Sequence, residues 1–142
     1  MLRHAEAEDG TPDAERRLTA KGEEQSRAVG AALGALGVRL DACVSSPKVR
    51  AAETARLACE HLGVEVTHEE RLGGGPFDPR EIAEGLGEQV MLVGHEPDFS
   101  MALHRMTGAQ VRMKKAGLAA VDRGELKVLL RPSDLQALAE LG

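Results

Sequence analysis

Residues 42–62 read Ala42-Cys43-Val44-Ser45-Ser46-Pro47-Lys48-Val49-Arg50-Ala51-Ala52-Glu53-Thr54-Ala55-Arg56-Leu57-Ala58-Cys59-Glu60-His61-Leu62, and the apolar period changes partway along them. Ala42 to Val44 form a short unbroken apolar run, the pattern of a strand covered on both faces. Ser45-Ser46-Pro47 interrupts it, and Pro47 suits the first turn of a helix, where its missing N–H is no loss. Beyond it Ala51, Ala55, Ala58 and Leu62 recur at helical spacing. A buried strand feeding directly into a helix predicts an α/β fold.

The same alternation runs outward in both directions. Thr19 can cap a helix whose apolar stripe is Ala28, Val29, Ala32, Leu33 and Leu36, with Gly37 placed to end it. Val64 and Val66 alternate as a strand, and Gly73-Gly74-Gly75-Pro76 reads as a loop. Asp78 then caps a helix with Pro79 at its first position and Glu81 three residues on. Val90 to Val93 is a second buried strand, ending at Gly94-His95-Glu96-Pro97, after which Asp98 caps a short helix burying Phe99, Ala102, Leu103 and Met106. Leu118–Val121 and Leu126–Leu130 flank Arg123-Gly124 as an antiparallel hairpin near 118–130. A last helix starts at Ser133 with Leu135, Leu138 and Leu141 on one side. No repeat or long linker divides the chain, so residues 1–142 are expected to form one domain.

Composition narrows the function. The chain is 42% hydrophobic and 29% charged, ordinary for a globular protein, but Phe77 and Phe99 are its only aromatic residues. Readers of single-stranded nucleic acid need aromatic stacking platforms, and phosphate-backbone binders are usually basic, whereas this chain carries a net charge of −5. Nucleic acid is therefore not an expected partner. The longest small-apolar stretch, 28–38, is broken by glycines and too short to span a bilayer. With no secretory leader pattern at the start, a cytoplasmic protein without a membrane partner is the expectation. Cys43 and Cys59 lie in core-like settings without paired spacing and read as reduced small hydrophobes.

Three strand ends carry the chemistry: Arg3-His4, Ser45-Ser46-Pro47 with Arg50, and Gly94-His95. Ligands of open α/β sheets bind at the carboxyl ends of strands, so the three can meet in one crevice. Guanidinium forks bind phosphoryl oxygens in pairs, and a neutral imidazole can attack phosphorus.

Several segments together resemble the histidine phosphatase superfamily, which includes phosphoglycerate mutases and SixA-type phosphohistidine phosphatases. Arg3-His4-Ala5 resembles its Arg-His-Gly/Ala signature. Arg16, Leu18, Thr19 and Gly22 resemble its Arg-Pro-Leu-Thr-x-x-Gly segment, with Arg17 in place of the proline. Ser46-Pro47-Lys48-Val49-Arg50-Ala51-Ala52-Glu53-Thr54-Ala55 is similar to its Ser-Pro-x-x-Arg-Ala-x-Gln/Glu-Thr-Ala block, and Gly94-His95-Glu96-Pro97 to its Gly/Ser-His-x-Pro block. The likeness extends from residue 1 to about residue 107.

The resemblance implies a three-layer α/β/α fold of the phosphoglycerate mutase type with a mostly parallel central sheet. It also implies a mechanism in which His4 attacks phosphorus, becomes a phosphohistidine and is freed by water. Arg3, Arg16 and Arg50 would bind the phosphoryl oxygens, and His95 would add a donor as charge spreads over them. No cofactor or metal is implied, because the arginines supply the positive charge. Only Met1 and Leu2 precede the Arg-His pair, so the first strand is expected to be shorter than is usual in the family.

The acid that protonates the leaving group in ester-cleaving members has no assigned counterpart. Glu69, Glu70, Asp78 and Glu81 lie in the relevant segment and read equally well as solvated and capping residues. An imidazole leaving group needs less protonation than an alkoxide, and the stretch from Val66 to Val90 is too short for a large lid. The expected substrate is thus phosphohistidine in a protein, as for SixA. A small-molecule phosphomonoesterase or mutase and a non-catalytic phosphate-binding module are the alternatives. His61, His68 and His104 lack metal-ligand spacing and read as surface or structural. The glycines at 73–75 lack the Lys-Ser/Thr of a P-loop. Lys114 and Lys115 suit either an acidic partner or a solvated face.

Overall fold

The computed structural model describes Met1–Gly142. Its elements are β1 (Leu2–Arg3), α1 (Ala20–Ala35), β2 (Ala42–Ser45), α2 (Val49–Leu62), β3 (Val66–His68), α3 (Pro79–Ala83), β4 (Val90–Gly94), α4 (Asp98–Thr107), β5 (Leu118–Asp122), β6 (Glu125–Leu130) and α5 (Pro132–Leu141). The six strands make one sheet in the order β3-β2-β4-β1-β5-β6. The first four are parallel, and β5 and β6 join antiparallel at one side as the expected hairpin, with Arg123-Gly124 at its turn.

Strand side chains alternate between two faces, and each face buries its own helices. Cys43, Met91 and Val93 pack with Val29, Ala32 and Leu33 of α1, Ala51, Ala55 and Ala58 of α2, and Leu135 of α5. Val44, Leu92 and Ala119 point the other way, onto Phe99, Ala102 and Leu103 of α4 with Leu72, Phe77 and Ile82. The result is three layers, α/β/α. Alanines on α2 bring it close to the sheet, and Gly63, in the left-handed conformation at φ 68°, ends that helix. Cys43 and Cys59 are free and buried. No helix is long and apolar enough to cross a membrane.

Four local expectations shift. The helix after Ser46 begins at Val49 rather than Pro47, because the Ser46 hydroxyl accepts the Lys48 N–H at 3.2 Å and holds a turn there first. Glu96, not Asp98, caps α4: its carboxylate accepts the Ser100 N–H at 2.7 Å, while Asp98 lies inside the first turn and accepts Gly75 N–H at 3.3 Å. Leu36, at the C-cap of α1, is 52% exposed because it lies past the last packed turn. Leu141, at the chain end of α5, is likewise exposed.

Candidate active site

Sheet register decides which loops meet. Arg3 stands opposite Gly94 and Ser45 opposite Val93, so the carboxyl ends of β1, β2 and β4 lie side by side. The hydrogen bonds continue one residue past the strands: His4 N–H donates to Gly94 O at 2.9 Å, and Ser46 N–H to Val93 O at 2.9 Å. His4, Ser46 and His95 therefore leave the sheet together. Their positions are further tied by Thr54 of α2, whose hydroxyl accepts Ala5 N–H at 3.0 Å and donates to Arg50 O at 2.7 Å.

The two imidazoles lie 5.2 Å apart, centroid to centroid, and both are buried. His4 Nδ1 is 2.8 Å from Ala5 O. A carbonyl can only accept, so Nδ1 carries the proton and Nε2 keeps its lone pair. His95 Nε2 meets the Ser46 hydroxyl at 2.8 Å, while its Nδ1 is buried with no protein partner. If the hydroxyl donates to Nε2, Nδ1 holds the proton and is left as a donor for a ligand.

Burial and cationic neighbours keep both rings neutral. Desolvation lowers the pKa of His4 to about 4, with Arg50, Arg3 and Lys115 adding to the shift against the opposing Ala5 carbonyl. Desolvation, then His4, Arg50 and Lys48, take His95 down to about 3.

Arg50 is buried on the first turn of α2 and is held from one side only. Its Nη1 donates to Asp13 O at 2.9 Å and its Nη2 to Asp13 Oδ2 at 3.1 Å, while Nε is buried and unpartnered. Arg3 is similar: Nη1 donates to Met113 O at 2.8 Å, and Nε is buried and unpartnered. Buried donors are nearly always satisfied, so two open guanidinium N–H groups and one imidazole nitrogen beside a neutral histidine make an anion-binding set.

Arg16 reaches this set indirectly. Its Nη1 bonds Asp13 Oδ1 at 3.1 Å and its Nε donates to Glu8 O at 2.7 Å. The loop carrying both residues returns through a bridge between Ala7 and Leu18, and Thr19 caps α1 while its N–H bonds Glu6 O at 3.1 Å. Gly22 lies against that same Glu6 carbonyl, where a Cβ would collide. Asp13 has no part in the sequence pattern of the site, and Ser46 enters it only within the strand-end segment Ser45-Ser46-Pro47. Asp13 sits in a polar coil without periodicity, and only its place three residues before Arg16 offered a signal.

Of the four acids in 69–81, Glu69, Asp78 and Glu81 face other partners and Glu70 is exposed. Glu69 bonds the Arg71 side chain at 2.8 Å and its N–H at 2.9 Å, which holds its pKa near about 2. Asp78 accepts Arg80 N–H at 3.0 Å as the cap of α3, Glu81 faces Arg71 at 4.0 Å, and Glu70 is exposed. Asp13 touches the site, but hydrogen bonds from Arg16 and Arg50 lower its pKa to about 2, so it is ionised at neutral pH. Nowhere do three or more His, Cys, Asp or Glu residues converge as metal ligands.

With this geometry in hand, the likenesses to known proteins fall into place. A profile of the histidine phosphatase superfamily, branch 1, matches residues 1–81. A protein of uncharacterised function from a Picosynechococcus species is 30% identical over 140 residues, covering 87% of this chain and 82% of its own. Among solved structures, the protein histidine phosphatase SixA complexed with tungstate superposes with a TM-score of 0.81 at 20% identity, over 94% of this chain and 96% of that one. A phosphoserine phosphatase of Entamoeba histolytica in complex with 3-phosphoglyceric acid gives 0.70 at 16% identity, over 94% and 96%. At such identities the two structures speak for the fold alone.

Proposed function

The chain belongs to branch 1 of the histidine phosphatase superfamily, and from that premise we propose that it is a metal-independent phosphatase acting through His4 on phosphohistidine in proteins. The observation that carries this reading is the His4 tautomer: Nδ1 is committed to Ala5 O, which leaves the Nε2 lone pair as nucleophile. Nε2 attacks phosphorus in line, the bond to the leaving nitrogen breaks, and the phosphoryl group rests on His4. Arg3 and Arg50 neutralise its oxygens through their open N–H edges, Arg16 supports Arg50 by way of Asp13, and His95 Nδ1 donates as charge develops. Water then takes the phosphoryl group, and His4 returns neutral.

The acids nearest the site already accept hydrogen bonds from N–H groups, which supports a nitrogen leaving group. Glu96, next to His95, is engaged by Ser100 N–H and Met113 N–H, and Asp13 is ionised. An alkoxide would leave poorly from such a site, whereas a phosphoimidazole that carries a proton on its far ring nitrogen releases neutral imidazole without an acid from the protein. This reading takes residues 1–142 as one catalytic domain working in the cytoplasm.

The test compares phosphate release from phosphohistidine-bearing protein and from p-nitrophenyl phosphate, with wild type and His4→Ala. Phosphohistidine should be the better substrate, with acid-labile label on the wild-type chain alone. Efficient ester cleavage with phosphohistidine ignored would assign the chain to the ester-cleaving phosphatases. No label and no turnover would leave a phosphate-binding module.

A further inference from the structure

Between Phe99 and Val121 the chain has no Asp or Glu, yet it carries Arg105, Arg112, Lys114 and Lys115. This stretch holds a charge of +4 in a chain of net charge −5, which leaves −9 over the remainder. Elsewhere the surface interleaves its charges: Arg56 with Glu53 and Glu60, Arg71 with Glu69, Arg131 with Asp134. None of the molecule's ion pairs uses the four cations of 105–115. An ordinary solvated face would mix signs, as the rest of this molecule does. Unpaired like charges instead build a local positive potential that attracts an anionic partner.

Two of these cations, Arg105 and Arg112, line a depression, and Lys114 and Lys115 are exposed just after them in the chain. Met101 and His104 of α4, with Arg105, Gln110, Val111 and Arg112, line an open depression of about 470 Å³ that contains no carboxylate. Met101, 47% exposed, and Val111 make the lining partly apolar, and Arg105 and Arg112 make it cationic. The chain after Arg112 leads straight into the active site. Met113 O holds Arg3 at 2.8 Å, Met113 N–H donates to Glu96 at 3.1 Å, and Ala116 N–H donates to His4 O at 3.0 Å. Lys115, between them, adds its charge to those acting on His4.

Resting on the function proposed above, we propose that this groove docks an acidic segment of the phosphorylated protein, so that its phosphohistidine is delivered to His4. A small phosphate ester would be held by the arginines of the site alone and would gain nothing from a groove with a partly apolar lining. An acidic polypeptide can satisfy Arg105, Arg112, Lys114 and Lys115 and lay a side chain over Met101. Such complementarity acts on association and partner choice and is screened by salt.

Two readouts separate this docking surface from the chemistry. Fluorescent peptides carrying a non-hydrolysable phosphohistidine analogue, flanked either by Glu or by Ser, are titrated by anisotropy, and turnover is followed with phosphoimidazole. The Glu-flanked peptide should bind about tenfold more tightly, and the preference should vanish at about 0.5 M salt. It should vanish equally in Arg112→Glu/Lys114→Glu, whose phosphoimidazole turnover stays at the wild-type level. Arg105→Ala, which also releases Phe77 O, should weaken the preference by part of that amount. No preference for Glu flanks in the wild type overturns the proposal, whatever the turnover. Preference without phosphoimidazole turnover leaves docking intact and refutes the catalytic reading instead. If anionic vesicles or single-stranded RNA bind through Arg112 and Lys114 while the Glu-flanked peptide does not, the acidic-protein assignment is wrong.

Discussion

Asp13 holds Arg50 by two of its own atoms: the backbone carbonyl takes Nη1 at 2.9 Å and the carboxylate takes Nη2 at 3.1 Å. The same carboxylate binds Arg16 at 3.1 Å and lies 3.5 Å from Lys48 Nζ. One edge of the Arg50 fork is thus occupied and the Nε edge is aimed elsewhere. Asp13→Ala removes the side-chain half of this clamp. Because the carboxylate is half exposed, the loss should be modest, about three- to tenfold in kcat/KM, and mostly in KM. Asp13→Asn, which keeps an acceptor and the backbone bond, should lose less. Steady-state kinetics with phosphoimidazole checks both, and an unchanged KM in the alanine variant would mean that the carboxylate does not position Arg50 and that the backbone bond to Asp13 O suffices.

Turnover should follow the protonation of His4. The imidazole attacks only when neutral, and its pKa is lowered to about 4 by burial and the nearby cations. Activity should therefore be level from neutrality down to about pH 5 and fall about tenfold per unit well below 4. The rate is measured against uncatalysed hydrolysis at each pH. A limb centred near 6.5, the ordinary histidine value, would show that His4 is not shielded.

Stability should share that acid sensitivity, and the sign follows from proton counting. Unfolded, both histidines take a proton near pH 6.5; folded, His4 does so near about 4 and His95 near about 3. Between about pH 3 and 6.5 the unfolded chain binds more protons, so stability rises with pH across that window and is lost on acidification. At roughly 1.4 kcal/mol per unit of pKa shift, the two rings together cost several kcal/mol at the acid end, up to about 8. Urea unfolding at pH 7 and pH 4 should show a smaller acid loss in His95→Asn than in wild type. Equal losses would remove His95 from the account and leave the effect to His4 and the carboxylates.

Ser46 is expected to act through His95. Its hydroxyl sits 2.8 Å from His95 Nε2 and also accepts Lys48 N–H, which orients the O–H toward the ring. Ser46→Ala frees the tautomer, so the proton can settle on Nε2 and leave Nδ1 bare. The expected result is a loss of about tenfold in kcat with little change in KM, since the donor matters most as charge develops. Restoration by Ser46→Thr would support the hydroxyl's role. A fall in KM and kcat together would point to a shift of the β2–α2 turn.

Much of this site was legible in the sequence because its residues sit at the ends of strongly apolar strands. Val90–Val93 and Ala42–Val44 announced themselves by composition, and His95, Ser46 and Arg50 follow them within a few residues. The apolar runs by themselves point to an α/β fold; the three-layer order was an implication of the family resemblance. Asp13 was not legible, because a clamp made from coil depends on where the 8–19 loop lands, and no period encodes that. Nor was the capping by Glu96: the sequence pattern points to Asp98, and only the backbone geometry brings the Ser100 N–H to the Glu96 carboxylate instead. Lys114 and Lys115 stand out in the sequence, but that Arg105 and Arg112 line one depression beside α4 is a product of the fold.

Gly22 carries the last prediction. It lies in the first turn of α1, and a Cβ there would collide with Glu6 O, a backbone atom already accepting Thr19 N–H at 3.1 Å. Glu6 is pinned further by its own N–H, which donates to Gln25 at 3.1 Å. Neither α1 nor the chain after His4 can yield independently, so Gly22→Ala must push Glu6, and with it Ala5, whose carbonyl sets the His4 tautomer. The cost should be about 1–3 kcal/mol, the usual scale of overpacking, with kcat falling more than KM rises. Gly34→Ala is the control: it is exposed in the same helix, its Cβ would meet only the His61 ring at 3.3 Å, and gain in helix propensity should offset that contact. Chemical unfolding and kinetics on the pair decide the matter. If Gly22→Ala is as stable and active as Gly34→Ala, the close approach of α1 to Glu6 does not position His4.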